Sequence, residues 1–297
     1  MLHDDQIERF GASLDDISNN PFRELLSDSD LETRFPGIRP QEGIHVTYEA
    51  QAGYLRPEVC ISAHLALARQ HGAEIQRPEM VTGWEVDGDG VAVTTTRGQY
   101  LAGHLTVAGG AWAGQILEEL DLPLQVVRIV NSYFEPTSEH WYGENGAPDF
   151  LLSVPEGNFY GMPADEGVGL KIGRHQGSLT TADTIDRNVR DEEIEYSRMV
   201  LDRYMPGASG PVVKKVVCMY TMTPDEDFIV ELHPEHPQVS IACGFSGRGF
   251  KFSPTVGEIM ADFAIRGSTD HNIDFLSSSR FEDQVLTLPR SVVLLPE

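Results

Sequence analysis

Lysine is scarce in this chain. Of its 297 residues, 46 are Asp or Glu and 22 are Lys or Arg, which gives a net charge of −24. Four of the basic residues are lysines: Lys171, Lys214, Lys215 and Lys251. The shortage of basic residues argues against a nucleic-acid-binding protein, which needs Lys and Arg against phosphate. A carboxylate-rich surface stays soluble in strong salt, so we interpret the chain as a cytoplasmic protein of a salt-loving organism, with an ordinary acidic protein as the alternative.

Long apolar segments and closely spaced cysteines are also missing. The sequence has no run of about 18 apolar residues, which predicts that no membrane span is present. The start, MLHDDQIERF, has neither the basic nor the apolar region of a secretory signal. Cys60, Cys218 and Cys243 lie far apart, so they form neither a disulfide framework nor a CxxC metal site. The HPEHP segment (233–237) is read as a proline-rich turn whose side chains diverge, and no metal is predicted.

Two kinds of pattern alternate along the chain. Residues 56–75 have the apolar spacing of an amphipathic helix that ends at Gly72, and the Asp-Gly pairs at 87–90 predict a hairpin. From about residue 125 to 222, strands separated by Pro and Gly surround one helix with an acidic first turn. The end of the chain returns to strand, glycine-rich loop and helix. The pattern predicts a mixed α/β (α+β) fold with a largely antiparallel central block.

The glycine-rich junction at 239–264 is the most informative segment. A β-run is followed by Gly244, Gly247 and Gly249, and a helix begins near Pro254. Glycines at a strand-to-helix junction let backbone N–H groups approach a ligand, and a helix N-terminus favours negative charge. A tight turn that needs positive φ is the alternative interpretation. Lys251 follows the loop and favours an anionic ligand.

The segments GFSGRGFKFS (244–253) and VCMYTMTPDEDFIVELHPEHP (217–237) resemble the monomeric sarcosine oxidase and N-methyltryptophan oxidase family, FAD-dependent amine oxidases of the D-amino-acid oxidase superfamily. NFYGMPADEGVGLKIGRHQG (158–177) resembles the family's substrate domain, and LTVAGGAWAGQIL (105–117) its dinucleotide domain. The resemblance implies a two-domain FAD-dependent amine oxidase fold. Residues 53–124 and 225–297 would form a Rossmann-like FAD domain, and residues 1–52 and 125–224 an antiparallel-sheet substrate domain.

The sequence departs from this family in two places. A member should begin with strand, GxGxxG, helix and an acidic residue for the ribose, and the sequence has none of these. The resemblance therefore implies an FAD domain that is incomplete at its N-terminus. We expect either a complementing N-terminal chain or a truncated, non-catalytic remnant. Arg248 stands where family members commonly carry histidine, which changes the polarity of the pocket.

The resemblance implies roles for the residues near the substrate. Lys251 would bind the substrate carboxylate, and Lys171 would lie over the flavin and activate oxygen. His175 follows Lys171 by four residues, so on a strand both side chains lie on one face. Tyr160 and Tyr220 would border the substrate, with core aromatic residues as the alternative.

The cofactor implied is FAD, attached covalently through Cys218 in the CMYT segment. Neighbouring lysines could help to form the thiolate of this cysteine. Val81 would contact the adenine side of FAD. The other residues implied to lie near the cofactor are Gly109, Gly110, Trp112, Gly244, Gly247, Gly249 and Phe250.

The activity implied is oxidation of a secondary N-methyl amino acid to amine, formaldehyde and hydrogen peroxide, with oxygen as the second substrate. A flavin dehydrogenase that passes electrons to a carrier is the alternative, and Lys171 favours the oxidase. Sarcosine, N-methyltryptophan, pipecolate and glycated amines all stay open as substrates.

Overall fold

The computed structural model describes residues 1–3, 21–165, 167–282, 289 and 292. Its helices are α1 (Asp28–Arg34), α2 (Pro57–Gln70), α3 (Ala113–Ile116), α4 (Asp191–Tyr204) and α5 (Ser253–Arg266). The first strands are β1 (Leu2–His3), β2 (Glu24–Leu25), β3 (Ile44–His45), β4 (Thr47–Tyr48), β5 (Val81–Asp87), β6 (Gly90–Thr95), β7 (Gln99–Ala102) and β8 (Leu105–Val107). The later strands are β9 (Gln125–Phe134), β10 (Phe150–Val154), β11 (Gly157–Met162), β12 (Leu170–Arg174), β13 (Ser178–Thr180), β14 (Val212–Met222), β15 (Ile229–Leu232) and β16 (Val239–Cys243).

The central block of the chain contributes six strands to an eight-stranded sheet, which β1 and β3 complete. Its order is β13-β9-β12-β11-β10-β1-β3, and β14 pairs with β9. The pairs within residues 125–222 are all antiparallel, as the Pro- and Gly-separated strands predicted. The long strand β9 contacts β12, β13 and β14, so it is the element that brings the strands of the block together.

One face of this sheet is covered by α4. Phe134, Phe159 and Ile172 alternate with residues of the opposite face and share a core with Val200 and Leu201 of the helix. The acidic residues in the first turn of α4 stabilise the helix, because negative charge is favourable at the positive end of the helix dipole. The sequence pattern predicted this helix at the observed position. Because α4 covers one face, side chains on the other face are available for a ligand.

A smaller sheet has the order β15-β16-β8, and β16 runs parallel to β8. Strand β16 is buried on both faces. Val239, Ile241 and Cys243 pack against Leu117 on one side, while Ala242 belongs to the cluster formed with α5 on the other. The chain leaves β16 through the glycine-rich loop and enters α5, so the predicted order of strand, loop and helix is confirmed.

The segment between these sheets holds α2 and the sheet β5-β6-β7. The predicted hairpin is present, with Asp87 paired to Gly90. Helix α2 ends at Gln70, two residues before its predicted end at Gly72, and Gly72 has φ of +91°. The Ser and Asp residues that begin segments 13–26 and 27–38 predict helix starts within a partly helical opening at 1–52. Helix α1 begins at Asp28 after the cap Ser27, as the second segment predicts, and residues 13–20 lie outside the described residues. Among the described residues, no helix combines the length and the apolar character that a membrane span requires.

Candidate active site

The register of the large sheet gathers polar side chains on the face opposite α4. Asn131 of β9 pairs with Gly173 of β12 and with Val216 of β14, and Gly173 pairs with Tyr160 of β11. Paired residues of antiparallel strands share a face, and residues two apart along a strand do also. Asn131 and Tyr160 therefore lie side by side on the same face as Cys218, which is two residues beyond Val216.

Tyr160 is at the centre of this group. Its hydroxyl donates a hydrogen bond of 2.7 Å to Oδ1 of Asn131. Its ring centroid lies 4.5 Å from that of His175, and Nζ of Lys171 is 5.3 Å from the ring. The predicted common face of Lys171 and His175 is confirmed, because both side chains contact the same tyrosine.

Gly173 provides the space in which these groups meet. A Cβ atom at this position would lie 2.3 Å from Oδ1 of Asn131 and 2.6 Å from Cζ of Tyr160. Both distances are shorter than any tolerated contact, so a residue with a side chain would push the two groups apart. Sequence reasoning missed Asn131 and Gly173. The available signal was a polar side chain within the apolar run VVRIVNSYF (126–134).

Hydrogen bonds extend from this centre in two directions. Nδ2 of Asn131 donates to Sγ of Cys218 at 3.3 Å. On the other side, the hydroxyl of Tyr220 lies 3.4 Å from Nδ1 of His175. Four of the five residues predicted to lie near the substrate are thus in one network with the cysteine predicted to hold the flavin.

Burial controls the charge of this cluster. It lowers the pKa of His175 to about 4, and the cations of Arg248, Lys251 and Lys171 act in the same direction, whereas Glu226 opposes them. His175 is therefore neutral at pH 7. Burial also lowers the pKa of Lys171, against the opposing influence of the Cys218 sulfur.

The two tyrosines are protonated for the same reason. Burial, followed by the neighbouring Tyr220 hydroxyl, raises the pKa of Tyr160 far above its usual range. Burial raises the pKa of Tyr220 to about 12. Both hydroxyls therefore act as neutral hydrogen-bonding groups at pH 7.

A cavity of about 880 Å³ lies between β14 and the glycine-rich loop. Its wall includes seven of the predicted residues: Gly110, Cys218, Tyr220, Gly244, Gly247, Gly249 and Phe250. Gly244 and Gly247 have φ of +63° and +74°, which an L side chain rarely adopts. Gly247 also lies against the Tyr220 ring, since a Cβ atom there would be 2.5 Å from it. Gly244 and Gly247 therefore permit a tight turn, and Gly247 also lets the loop lie close to the ring of Tyr220.

The cavity fits a flat, largely apolar ring system. Its volume is within the range of about 300–1,000 Å³ typical of ligand sites. Ala108, Gly110 and Ala111 line one part without bulky side chains, and the sulfur of Cys218 lies in the wall. The size and lining of the cavity therefore favour the flavin ring implied by the sequence, and the thiol of Cys218 is present where a covalent bond would require one.

The other predicted residues lie elsewhere. Val81, Gly109 and Trp112 line a separate cavity of about 1000 Å³ beside β5. The indole N–H of Trp112 donates to Asp183 at 2.9 Å. Lys251 is exposed in the turn that precedes α5, and it does not line the cavity that holds Cys218. The roles predicted for these residues stay predictions.

The histidines of the HPEHP turn make structural contacts. The expected divergence of the side chains in this turn is wrong for its histidines, because the rings of His233 and His236 stack with their centroids 4.7 Å apart. Nδ1 of His233 also accepts hydrogen bonds from the backbone N–H groups of Glu235 and His236. In the part of the chain that the structure describes, no group of three or more His, Cys, Asp or Glu residues is placed to hold a metal ion.

Comparisons with known sequences agree with this geometry. The family model described as FAD dependent oxidoreductase matches residues 1–263. The chain is 40% identical to monomeric sarcosine oxidase from Bacillus sp. (strain B-0618) over 262 residues, which cover 86% of this chain and 67% of that protein. It is 33% identical to N-methyl-L-tryptophan oxidase from Escherichia coli O157:H7 over 269 residues, which cover 87% of this chain and 69% of that protein.

Solved structures share the fold. L-Proline dehydrogenase from P. horikoshii matches with a TM-score of 0.78 at 20% identity, over 95% of this chain and 75% of that one. Glycine oxidase from Geobacillus kaustophilus matches with a TM-score of 0.75 at 18% identity, over 94% of this chain and 73% of that one. These likenesses support the predicted mixed α/β fold of the FAD-dependent amine oxidases. The sequence matches and the fold together establish that the chain belongs to the family of FAD dependent oxidoreductases.

Proposed function

We propose that the protein oxidises a secondary N-methyl amino acid to the amine, formaldehyde and hydrogen peroxide, using oxygen as the electron acceptor. The observation that carries this proposal is the arrangement of Lys171, Tyr160, His175 and Tyr220 beside a cavity whose wall contains Cys218. The names of the relatives, sarcosine oxidase and N-methyl-L-tryptophan oxidase, supply the substrate class.

FAD would occupy the cavity next to β14, with Cys218 as the covalent attachment and Gly244, Gly247 and Gly249 as the loop along its edge. When bound, FAD supplies the redox chemistry, accepting a hydride equivalent from the N-methyl carbon and returning electrons to oxygen. The protein contributes binding, orientation and charge. Val81 would contact the adenine side of FAD, and Gly109 and Trp112, which line the same second cavity, would lie near the cofactor.

Lys171 would supply a fixed positive charge where oxygen is reduced. A preorganised cation stabilises the negative charge that develops on oxygen, and its effect is strong because the site is shielded from water. Lys171 is partly buried, so its charge is only partly screened.

The remaining side chains would hold the substrate. The neutral imidazole of His175 and the protonated hydroxyls of Tyr160 and Tyr220 can accept or donate hydrogen bonds at the substrate amine without adding a competing charge. Lys251 would pair with the substrate carboxylate, since its charge already acts on His175.

We also propose the domain division that the resemblance implies, with 53–124 and 225–297 as the FAD domain and 1–52 and 125–224 as the substrate domain. The sheet memberships support it: the large sheet takes its strands from 2–3, 44–45 and 125–222, and the smaller sheet from 105–107 and 229–243.

Two alternatives have an observation in their favour. A flavin dehydrogenase agrees with the likeness to L-proline dehydrogenase, and it would reduce an artificial electron acceptor but not oxygen. A subunit of a two-chain flavoprotein agrees with α2, which has no buried residue within the described part of the chain and exposes Val59 to 63%. A purified chain that binds no FAD by itself would favour the second alternative.

The test is an assay of the purified chain, supplied with FAD, on sarcosine and on N-methyltryptophan. Formaldehyde and hydrogen peroxide should appear in equal amounts, and N-methylamines without a carboxylate should react much more slowly. Oxygen consumption without formaldehyde would contradict oxidation at the N-methyl carbon.

A further inference from the structure

The side chain of Asn131 is hydrogen-bonded to both Tyr160 and Cys218 in the interior of the sheet. It is 2% exposed and lies in the middle of β9. Its Oδ1 accepts from the hydroxyl of Tyr160 at 2.7 Å, and its Nδ2 donates to Sγ of Cys218 at 3.3 Å. No role for this residue follows from the sequence pattern or from the sheet alone.

We propose that Asn131 is a positioning residue that fixes the sulfur of Cys218 and makes it a better nucleophile toward the cofactor. Attachment would replace the S–H bond of Cys218 and a C–H bond of the cofactor with one S–C bond. The two electrons and two protons released would pass to oxygen, the second substrate of the proposed reaction, and give hydrogen peroxide. The proposal deepens the proposed function, because the covalent attachment at Cys218 belongs to it. The effect on the sulfur itself can be measured in the flavin-free protein.

The orientation of the amide follows from its neighbours. The buried hydroxyl of Tyr160 is protonated and donates to Oδ1, and this contact turns Nδ2 toward the sulfur. Gly173 lets both groups approach, because a Cβ atom there would occupy the space between them. An N–H donor stabilises a thiolate more than a thiol, since a hydrogen bond to the charged form favours that form.

The other groups around the sulfur are cations, neutral tyrosines and the carboxylate of Glu58, which acts on Lys171 and Tyr133. Lys171 brings a positive charge. Burial lowers its pKa, Cys218 and Glu58 raise it, and Lys214 lowers it. Burial raises the pKa of three tyrosines near the sulfur, and Cys218 adds to that rise: Tyr133, Tyr160 and Tyr220. Arg187 donates to the backbone carbonyl of Val217, beside the cysteine. Asn131 differs from these groups because it donates a hydrogen bond directly to Sγ.

The test measures the rate at which iodoacetamide alkylates Cys218 as a function of pH in the flavin-free protein. Mass spectrometry of the Cys218 peptide separates it from Cys60 and Cys243. Asn131→Leu removes the donor without adding charge, and it should move the midpoint of the rate profile upward by about one pH unit, the size expected for one hydrogen bond to a charged group. Ser132→Ala is the control, because Ser132 is the next residue along β9 and faces the other side of the sheet.

A second variant keeps the test decisive if Asn131→Leu does not fold. Asn131→Asp has the same shape and still accepts from Tyr160, but it places a carboxylate beside the sulfur, so it should move the midpoint upward by more than Asn131→Leu. An unchanged or lower midpoint in the folded variants would overturn the proposal, as would an equal shift in Ser132→Ala. A purely structural role would lower thermal stability without moving the midpoint.

The same variants separate this inference from the proposed function. Each is incubated with FAD and precipitated with acid, and the precipitated protein is examined for flavin colour. We expect the Asn131 variants to acquire colour several-fold more slowly than the unaltered protein. A colourless unaltered protein, together with a shifted alkylation profile in the variants, would reject the covalent attachment and retain the effect of Asn131 on Cys218.

Discussion

Lys171 and Tyr160 form a cation–π contact, with Nζ 5.3 Å from the ring centroid. They belong to neighbouring strands, β12 and β11, and the antiparallel register brings them together. Because burial lowers the pKa of Lys171, the contact with the aromatic face helps to keep the ammonium charged. The protein thus holds a cation against the ring of Tyr160 on the ligand-facing side of the sheet.

Lys171→Met removes this charge and keeps an unbranched side chain that is one atom shorter. We expect the rate of reaction with oxygen to fall by about 10²-fold or more, because the lost group stabilises developing negative charge. Reduction of the flavin by substrate, followed anaerobically, should change much less.

The matched control is Lys215→Met, because Lys215 is exposed on β14 and pairs with Ser132 on the other face of the sheet. Normal reaction with oxygen in Lys171→Met would remove the argument for an oxidase and would favour the dehydrogenase.

His175 should make the stability of the flavin-free protein depend on pH. Its folded-state pKa is about 4, below the ordinary value of 6.5, so the unfolded chain binds the proton more tightly. The contribution of His175 to the free energy of unfolding is fully present above pH 6.5 and is lost as the pH falls toward 4. The loss amounts to about 3 kcal/mol of unfolding free energy.

Denaturant unfolding of the native protein and of His175→Gln at a series of pH values checks this prediction. The difference in unfolding free energy between the two proteins should change between pH 6.5 and 4. Parallel profiles for the native protein and His175→Gln would contradict the account.

Gly173→Ala should disturb the centre of the network. The added Cβ would lie 2.3 Å from Oδ1 of Asn131, so either the amide or the ring of Tyr160 must move. We expect a loss of about 1–3 kcal/mol in unfolding free energy, the cost of overpacking a buried site.

Gly98→Ala is the matched control, because a Cβ atom there would meet no atom within 4 Å. Equal stabilities for the two variants in urea unfolding would show that the space around Gly173 is less restricted than the geometry requires.

Local sequence patterns were sufficient for some parts of the site and insufficient for others. The common face of Lys171 and His175 follows from the period of a strand, and the glycine-rich junction follows from turn chemistry. The importance of Gly173 and Asn131 depends instead on the register between β9, β11 and β12, which no local pattern specifies. The end of α2 near Gly72 also follows from a local signal, because a glycine just past a helix readily takes the positive φ that Gly72 has.

The central claim is that the cavity beside β14 holds a flavin attached to Cys218. The most direct measurement is the visible spectrum of protein that has been supplied with FAD and precipitated with acid. We predict a yellow precipitate from the unaltered protein and from Cys60→Ser, and a colourless one from Cys218→Ser. A colourless precipitate from the unaltered protein, with all flavin left in solution, would contradict the claim.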